Sequence, residues 1–147
     1  MSKPLCMMIH HTAVSVQKNS DQFKATNAYH QKKWNQKSSL GYFVGYHYEI
    51  SALGKIKQAR KDGEVSVACW QKKMNDGRCI HICLDGNFDT ENPRPPQIYA
   101  LRDLLRKLAK KYQISSDFIY FHRDFAKKSC PGKLMKTIFI KSLLEKG

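Results

Sequence analysis

No apolar run in this chain approaches the ~20 residues that a membrane-crossing helix needs. The opening segment MSKPLCMMIHHT holds an apolar stretch of only about five residues, whereas a signal peptide has roughly 7–15 followed by a small-residue cleavage site. The expectation is synthesis in the cytoplasm, with no export signal and no membrane insertion. Gly/Ser linkers, low-complexity tracts and internal repeats are also missing. The chain therefore reads as one domain over residues 1–147, a length that can bury one sizeable core. Acidic side chains are scarce: 12 Asp and Glu against 26 Lys and Arg give a net charge of +14. Such a field attracts polyanions, whether nucleic acid, acidic lipid or an anionic wall polymer. The basic residues are scattered (Lys32–Lys33, Lys72–Lys73, Arg106–Lys111, Lys127–Lys128) rather than gathered in one arm. No helix–turn–helix, finger or basic-aromatic repeat accompanies them, so no specific nucleic-acid partner is expected. The cysteines, at 6, 69, 79, 83 and 130, are odd in number and not spaced like a secreted disulfide framework, which points to reduced thiols.

What is present alternates between strand and helix patterns. Leu5–Ile9 is an apolar run that ends on a His pair and reads as a buried strand. Ser20 or Asp21 can cap a helix running to about Lys33, with Phe23, Asn27, His30 and Trp34 near one face. Phe43–Ile50 reads as a strand entering a hairpin at Ser-Ala-Leu-Gly, with Lys55–Ala59 as its return. Residues 61–77 lack periodicity and read as loop. Cys79–Leu84 has the pattern of a central strand and stops at the turn signal Asp85-Gly86-Asn87. After Pro95-Pro96, the residues Ile98, Leu101, Leu104, Leu105, Leu108 and Tyr112 recur at helical spacing, an apolar stripe suited to packing on a sheet. Phe118–Phe121 reads as a short strand and Lys133–Glu145 as a closing amphipathic helix. The inferred fold class is α/β, a mixed central sheet flanked by helices, with the tight hairpin supplying an antiparallel pair.

The chemistry concentrates near the end of the chain. His122 leaves a strand and Cys130 follows eight residues later, just before Pro131-Gly132. Imidazole nitrogen and thiolate sulfur are both good zinc ligands, and the loop between them can fold both onto one ion. The positive end of the expected following helix would favour the thiolate. His10, at the end of the first strand, is a candidate third ligand. A His–His–Cys set leaves the fourth zinc position open, the catalytic pattern rather than the structural one. Cys79, His81 and Cys83 share a strand face, but the two cysteines stand about 13 Å apart at ~3.3 Å per residue, too far for a common ion.

Four motifs occur in order: His10-His11-Thr12 after an apolar strand, Gly45-Tyr46-His47, Cys79-Ile-His-Ile-Cys-Leu-Asp-Gly86-Asn87-Phe88-Asp89, and His122 followed by Lys128-Ser-Cys130-Pro131. Together they resemble the zinc-dependent N-acetylmuramoyl-L-alanine amidases, the family of phage lysozyme-type amidases and peptidoglycan recognition proteins. The resemblance runs from about Met8 to Cys130. It implies one zinc on His10, His122 and Cys130, with Tyr46 and Lys128 as catalytic residues; some recognition proteins carry threonine at the lysine position. Zinc activates water and polarises a carbonyl, Lys128 sets positive charge beside a developing oxyanion, and Tyr46 orients the reacting groups. His11 is left out of the metal shell because strand alternation turns it away. His47 and His30 read as structural.

The resemblance also implies peptidoglycan or muropeptides as the partner, and the chain is expected to act as a monomer. The setting is either a phage or prophage lysin acting on the wall or a cytoplasmic enzyme that recycles wall fragments, and the basic surface leans towards the lysin. A non-catalytic peptidoglycan-binding module is the alternative from another class. Trp70 and Asn75 are candidate substrate contacts. Three departures from the family pattern stand out: a loop histidine near Cys69-Trp70 is missing, His81 replaces a usual glycine, and Glu49 replaces an apolar residue.

Overall fold

The computed structural model describes residues 1–69 and 71–145. A five-stranded sheet forms its centre, made of β1 (Cys6–His11), β2 (Tyr48–Ile50), β3 (Ile56–Gln58), β4 (Cys79–Leu84) and β5 (Ile119–Phe121), in the order β3-β2-β4-β1-β5. β4 pairs in parallel with both β1 and β2, and β1 with β5; the β2–β3 hairpin is antiparallel. The sheet is therefore mixed and carries helices, as the sequence pattern implies.

Side chains alternate across a strand, and here the two faces differ in chemistry. Met7, Ile9, Ile80, Ile82, Leu84, Ile50, Ile119 and Phe121 form one apolar face. Helix α2 (Pro95–Tyr112) lays Leu101, Leu104, Leu105 and Leu108 against it. Two prolines open α2 where backbone N–H groups lack helical partners anyway. Gln97 anchors that end, its Nε2 donating to the carbonyls of Ile50 at 3.0 Å and Asp85 at 2.9 Å. The other face carries Met8, His10, His81, Cys83 and Glu49, and it is equally buried. Helix α1 (Phe23–Lys33) and the loop from residue 61 to 77 lie on that side, with His30, Thr26 and Met74 supplying its hydrogen bonds.

Three expected elements differ in extent. The strand expected over Phe43–Ile50 is regular only from Tyr48, because residues 43–45 turn their amides to α1: the Phe43 and Val44 N–H groups donate to Asn27 Oδ1 and the Gly45 N–H to His30 Nδ1. Helix α1 begins after Gln22 without a side-chain cap, and neither Ser20 nor Asp21 fills that place. Gln22 is instead buried and spans the preceding loop, its Nε2 donating to the Val14 carbonyl at 2.8 Å. The closing helix α3 is only Thr137–Ser142. Residues 133–135 form a turn, with the Leu134 N–H on the Phe88 carbonyl at 2.8 Å, which docks the segment rather than winding it.

Glu49 explains itself in this frame. It stands at the polar face, 2% exposed, with Thr26 donating to its Oε2 at 3.1 Å. Its carboxyl meets that of Asp85, which also accepts the Gln22 N–H at 2.7 Å. One oxygen of each acid has no other partner, so a single shared proton satisfies both. Burial, then the neighbouring Asp85, pushes the Glu49 carboxyl well above its usual range. A raised acid contributes stability below its unfolded pKa and loses it as pH rises towards the folded one. Glu49→Gln keeps the bridge without the proton. Thermal unfolding should show little difference between the variant and the wild type near pH 4, and a variant increasingly more stable towards pH 8. A gap independent of pH would contradict the shared proton.

Candidate metal centre

The end of β1 and the segment after β5 converge on one point. His10 is the fifth residue of β1, on the polar face and 1% exposed. His122 opens a turn of 3-10 helix directly after β5. Cys130 returns on the following loop. Among the described residues, these three form the one group of metal-ligand type, with a donor atom from each lying within 4.8 Å of the others. His10 Nδ1 and Cys130 Sγ are 3.9 Å apart, close to the ~3.6 Å that a tetrahedral ion with bonds of about 2.1 and 2.3 Å requires. His122 Nε2 is buried and has no hydrogen-bond partner among the described residues. A buried polar atom left so costs about 1–3 kcal/mol, and an ion between the three groups would satisfy it. The donor set fits zinc.

The electrostatics prepare neutral imidazoles. Burial lowers His10 well below the usual histidine range, helped by His81 and His122 nearby. Burial and then the Lys128 ammonium bring His122 down to about 4. Cys130 is pushed up to about 11 by burial, against the pull of the His11 N–H, which donates to its sulfur at 3.4 Å, and of Lys128. The thiolate-favouring helix end expected after Pro131 is not there: α3 starts only at Thr137, and residues 131–136 are turn and irregular backbone.

Arg123 and Asp89, to which the sequence assigns no role, hold the Cys130 loop. The Arg123 guanidinium donates to the carbonyls of Gly132 at 2.8 Å and Met135 at 2.7 Å while stacking on Phe121. Asp89 accepts hydrogen bonds from Ser129 Oγ and the Lys133 N–H, both at 2.9 Å. Gly132 sits at φ +113, where a Cβ would come within 2.4 Å of the Phe88 backbone, so the loop needs glycine to pass there. Their signal was faint, since an Arg in a basic chain and an Asp after Gly-Asn each look ordinary.

His122 and Cys130 line an open cleft of about 660 Å³, with the buried His10 beside them. Tyr46 and Lys128 both line it, with Lys128 on the exposed rim. The Tyr46 ring packs 5.0 Å from that of His10, its hydroxyl against the Cys83 thiol. Burial raises this phenol well above its usual range, so it stays protonated and acts as a donor. His11 turns away as expected, its Nδ1 accepting the Phe88 N–H at 3.1 Å. Asn75 lines the cleft, but its amide is already engaged: its Oδ1 accepts from the Cys69 N–H and from Ser66 Oγ, and its Nδ2 donates to the Cys69 carbonyl. Trp70, the other expected substrate contact, lies outside the described residues. The opposite wall instead presents Tyr29 and Trp34, 59% and 39% exposed, with the Lys33 ammonium over both rings. The cysteines of β4 divide: Cys79 packs with Cys6 and Cys69, while Cys83 lies under Tyr46.

Residues 1–133 match the family model for N-acetylmuramoyl-L-alanine amidase. Among curated relatives, the peptidoglycan-recognition protein SC1a/b of Drosophila simulans is 30% identical over 131 residues, covering 85% of this chain and 66% of that protein, just under two thirds of its length. Among solved structures, the N-acetylmuramoyl-L-alanine amidase LysC from Clostridium intestinale aligns over 97% of this chain and 85% of its own, with a TM-score of 0.78 and 29% identity. The Ph2119 endolysin of a Thermus scotoductus bacteriophage shares the fold, with a TM-score of 0.77 at 20% identity, over 99% of this chain and 88% of its own. With its ordered motifs, its mixed sheet and a match over most of its length, the chain belongs to the N-acetylmuramoyl-L-alanine amidase family.

Proposed function

We propose that this chain is a single-domain zinc amidase that hydrolyses the bond between N-acetylmuramic acid and L-alanine in peptidoglycan, with the metal on His10, His122 and Cys130. The observation that carries the reading is the unpartnered His122 Nε2, buried where two further donor atoms converge. A module that bound wall fragments without an ion would leave that nitrogen unsatisfied, which favours the enzyme over the binder. Zinc, when bound, supplies a water nucleophile near neutral pH and polarises the scissile carbonyl.

The chain's own groups do the rest. Tyr46 keeps its proton, so its hydroxyl donates a hydrogen bond and orients the amide rather than acting as a base. Lys128 brings a positive charge to the cleft, close enough to lower both histidines. That charge is worth most where negative charge develops on the amide oxygen. The neutral His10 and His122 each offer a lone pair and carry no positive charge that would repel a cation. Tyr29 and Trp34 offer flat faces to sugar rings, and Lys33 between them suits a muropeptide carboxylate. The net charge of +14 suits a polyanionic wall, so we place the enzyme as a lysin acting on intact wall. No described helix is long and apolar enough to cross a membrane.

One zinc per chain should be found by metal analysis, and His10→Ala, His122→Ala and Cys130→Ala should each lose it. Full zinc in all three variants would remove the proposed site. Tyr46→Phe and Lys128→Ala should keep zinc and fold while kcat falls about tenfold to a thousandfold; a wild-type rate in Lys128→Ala would make that lysine a surface charge only. Mass spectrometry of digested peptidoglycan should show free stem peptides with new L-alanine amino termini and glycan strands of unchanged length. A chelator should stop the reaction and zinc restore it. New reducing sugar ends without new amino termini would instead mean a glycosidase.

A further inference from the structure

His81 is one of the departures from the family pattern, standing where a glycine is usual. Its side chain fills the space between β1 and the loop over residues 61–77, and it is wholly buried. Its Nε2 lies 2.6 Å from the Met74 carbonyl, and its Nδ1 lies 2.8 Å from His10 Nε2. Its backbone N–H donates to His47 Nδ1 at 3.0 Å, and the His47 Nε2 meets the Glu64 carbonyl at 2.8 Å. The His47 and His81 rings stack, 5.8 Å apart and 9° from parallel.

These contacts leave little freedom in where the protons sit. A carbonyl can only accept, so His81 Nε2 must carry a hydrogen. A neutral imidazole has one N–H, so His81 Nδ1 holds a lone pair and accepts. The group that donates to it is His10 Nε2. His10 then has no hydrogen on Nδ1, and that is the nitrogen 3.9 Å from Cys130 Sγ, on the side of the metal cluster. The same elimination fixes His47, whose Nδ1 accepts an amide and whose Nε2 donates to a carbonyl. His81 is thus anchored at its backbone by His47 and at its ring by Met74.

We propose that His81 is a positioning residue for the metal centre: through the Met74 carbonyl–His81–His10 chain it locks His10 in the Nε2–H tautomer, orients its ring and leaves the Nδ1 lone pair for the ion. The proposal rests on the zinc reading above only in naming what that lone pair receives. Hydrogen-bonded partners of metal-binding histidines act in this way generally, and losing one commonly costs 10–100-fold in metal affinity. The loop histidine that the family carries near Cys69 is missing here, and His81 ties the same loop to the centre from below. His81 touches neither the reacting groups nor the cleft surface, so its effect passes through His10.

The test has two arms. In the metal-free wild-type protein, two-dimensional 15N–1H NMR of the imidazole nitrogens should show His10 protonated at Nε2 and not at Nδ1. Zinc affinity is then measured by competition with a chromophoric chelator in His81→Phe, which keeps a flat ring without nitrogens, and in His81→Asn, whose amide can return an acceptor near the Nδ1 position. His81→Phe should bind zinc 10–100-fold more weakly and show His10 in mixed tautomers. His81→Asn should recover affinity relative to His81→Phe, which a role in packing alone would not produce. Wild-type affinity in a folded His81→Phe protein, or an Nδ1–H on His10 in the wild type, overturns the proposal. If the phenylalanine variant does not fold, the wild-type spectrum still decides. A wild type that binds no zinc but shows the expected tautomer would sink the zinc reading and leave the proton chain intact.

Discussion

The parallel register of β1 on β4 is the constraint from which the rest follows. With Cys6 opposite Cys79 and His10 opposite Cys83, alternation sends Met7, Ile9, Ile80 and Ile82 to the face under α2. It sends Met8, His10, His81 and Cys83 to the other. A slip of β1 by one residue would exchange its faces, driving His10 into the leucines of α2 and turning Met7 and Ile9 to the cleft side. The apolar face thus does two things at once: its burial stabilises the domain, and it specifies which histidine of the His10-His11 pair enters the cluster. His11 takes the other side, stacked on Phe88.

A buried polar face is costly unless each group has a partner, and this one is resolved almost entirely by neutral hydrogen bonds. His30, His47 and His81 each bond to backbone groups of a neighbouring loop and are held at about 4, 4 and 3 by burial. Burial raises the neighbouring Glu49 and Asp85 carboxyls. Arg60, also buried, donates to the carbonyls of Val44, Val65 and Gln36. Among the described residues, the buried atoms without a hydrogen-bond partner are Glu49 Oε1, Asp85 Oδ1, Gln97 Oε1 and His122 Nε2, and of these the His122 nitrogen lies beside the two groups best able to complete a metal site. A buried nitrogen without a partner beside two further donors of metal-ligand type marks a place suited to a ligand.

Much of this was legible in the chain. The strand ending on His10, the leucine stripe of α2 and the pattern of Cys79–Leu84 follow from periodicity, which burial enforces. The convergence of His10 with His122 and Cys130 was not in the spacing, because 112 residues separate the first two histidines. It came from the ordered resemblance. The three differences in element extent share one cause. At Gly45, Gln22 and Leu134 the backbone or side chain bonds to a distant segment, so tertiary contacts outweigh local preference. His81 and Glu49 looked anomalous in sequence because their partners, His10 with Met74 and Asp85 with Thr26, lie across the sheet or on other elements.

The most direct test of the account is zinc K-edge X-ray absorption on the loaded protein, which counts the atoms around the ion. The proposed zinc site predicts one sulfur, two imidazole nitrogens and a fourth, light-atom neighbour, with the sulfur absent in Cys130→Ala. Two or more sulfurs, or a sulfur that survives the loss of Cys130, would place the metal elsewhere in the molecule and contradict the centre described above.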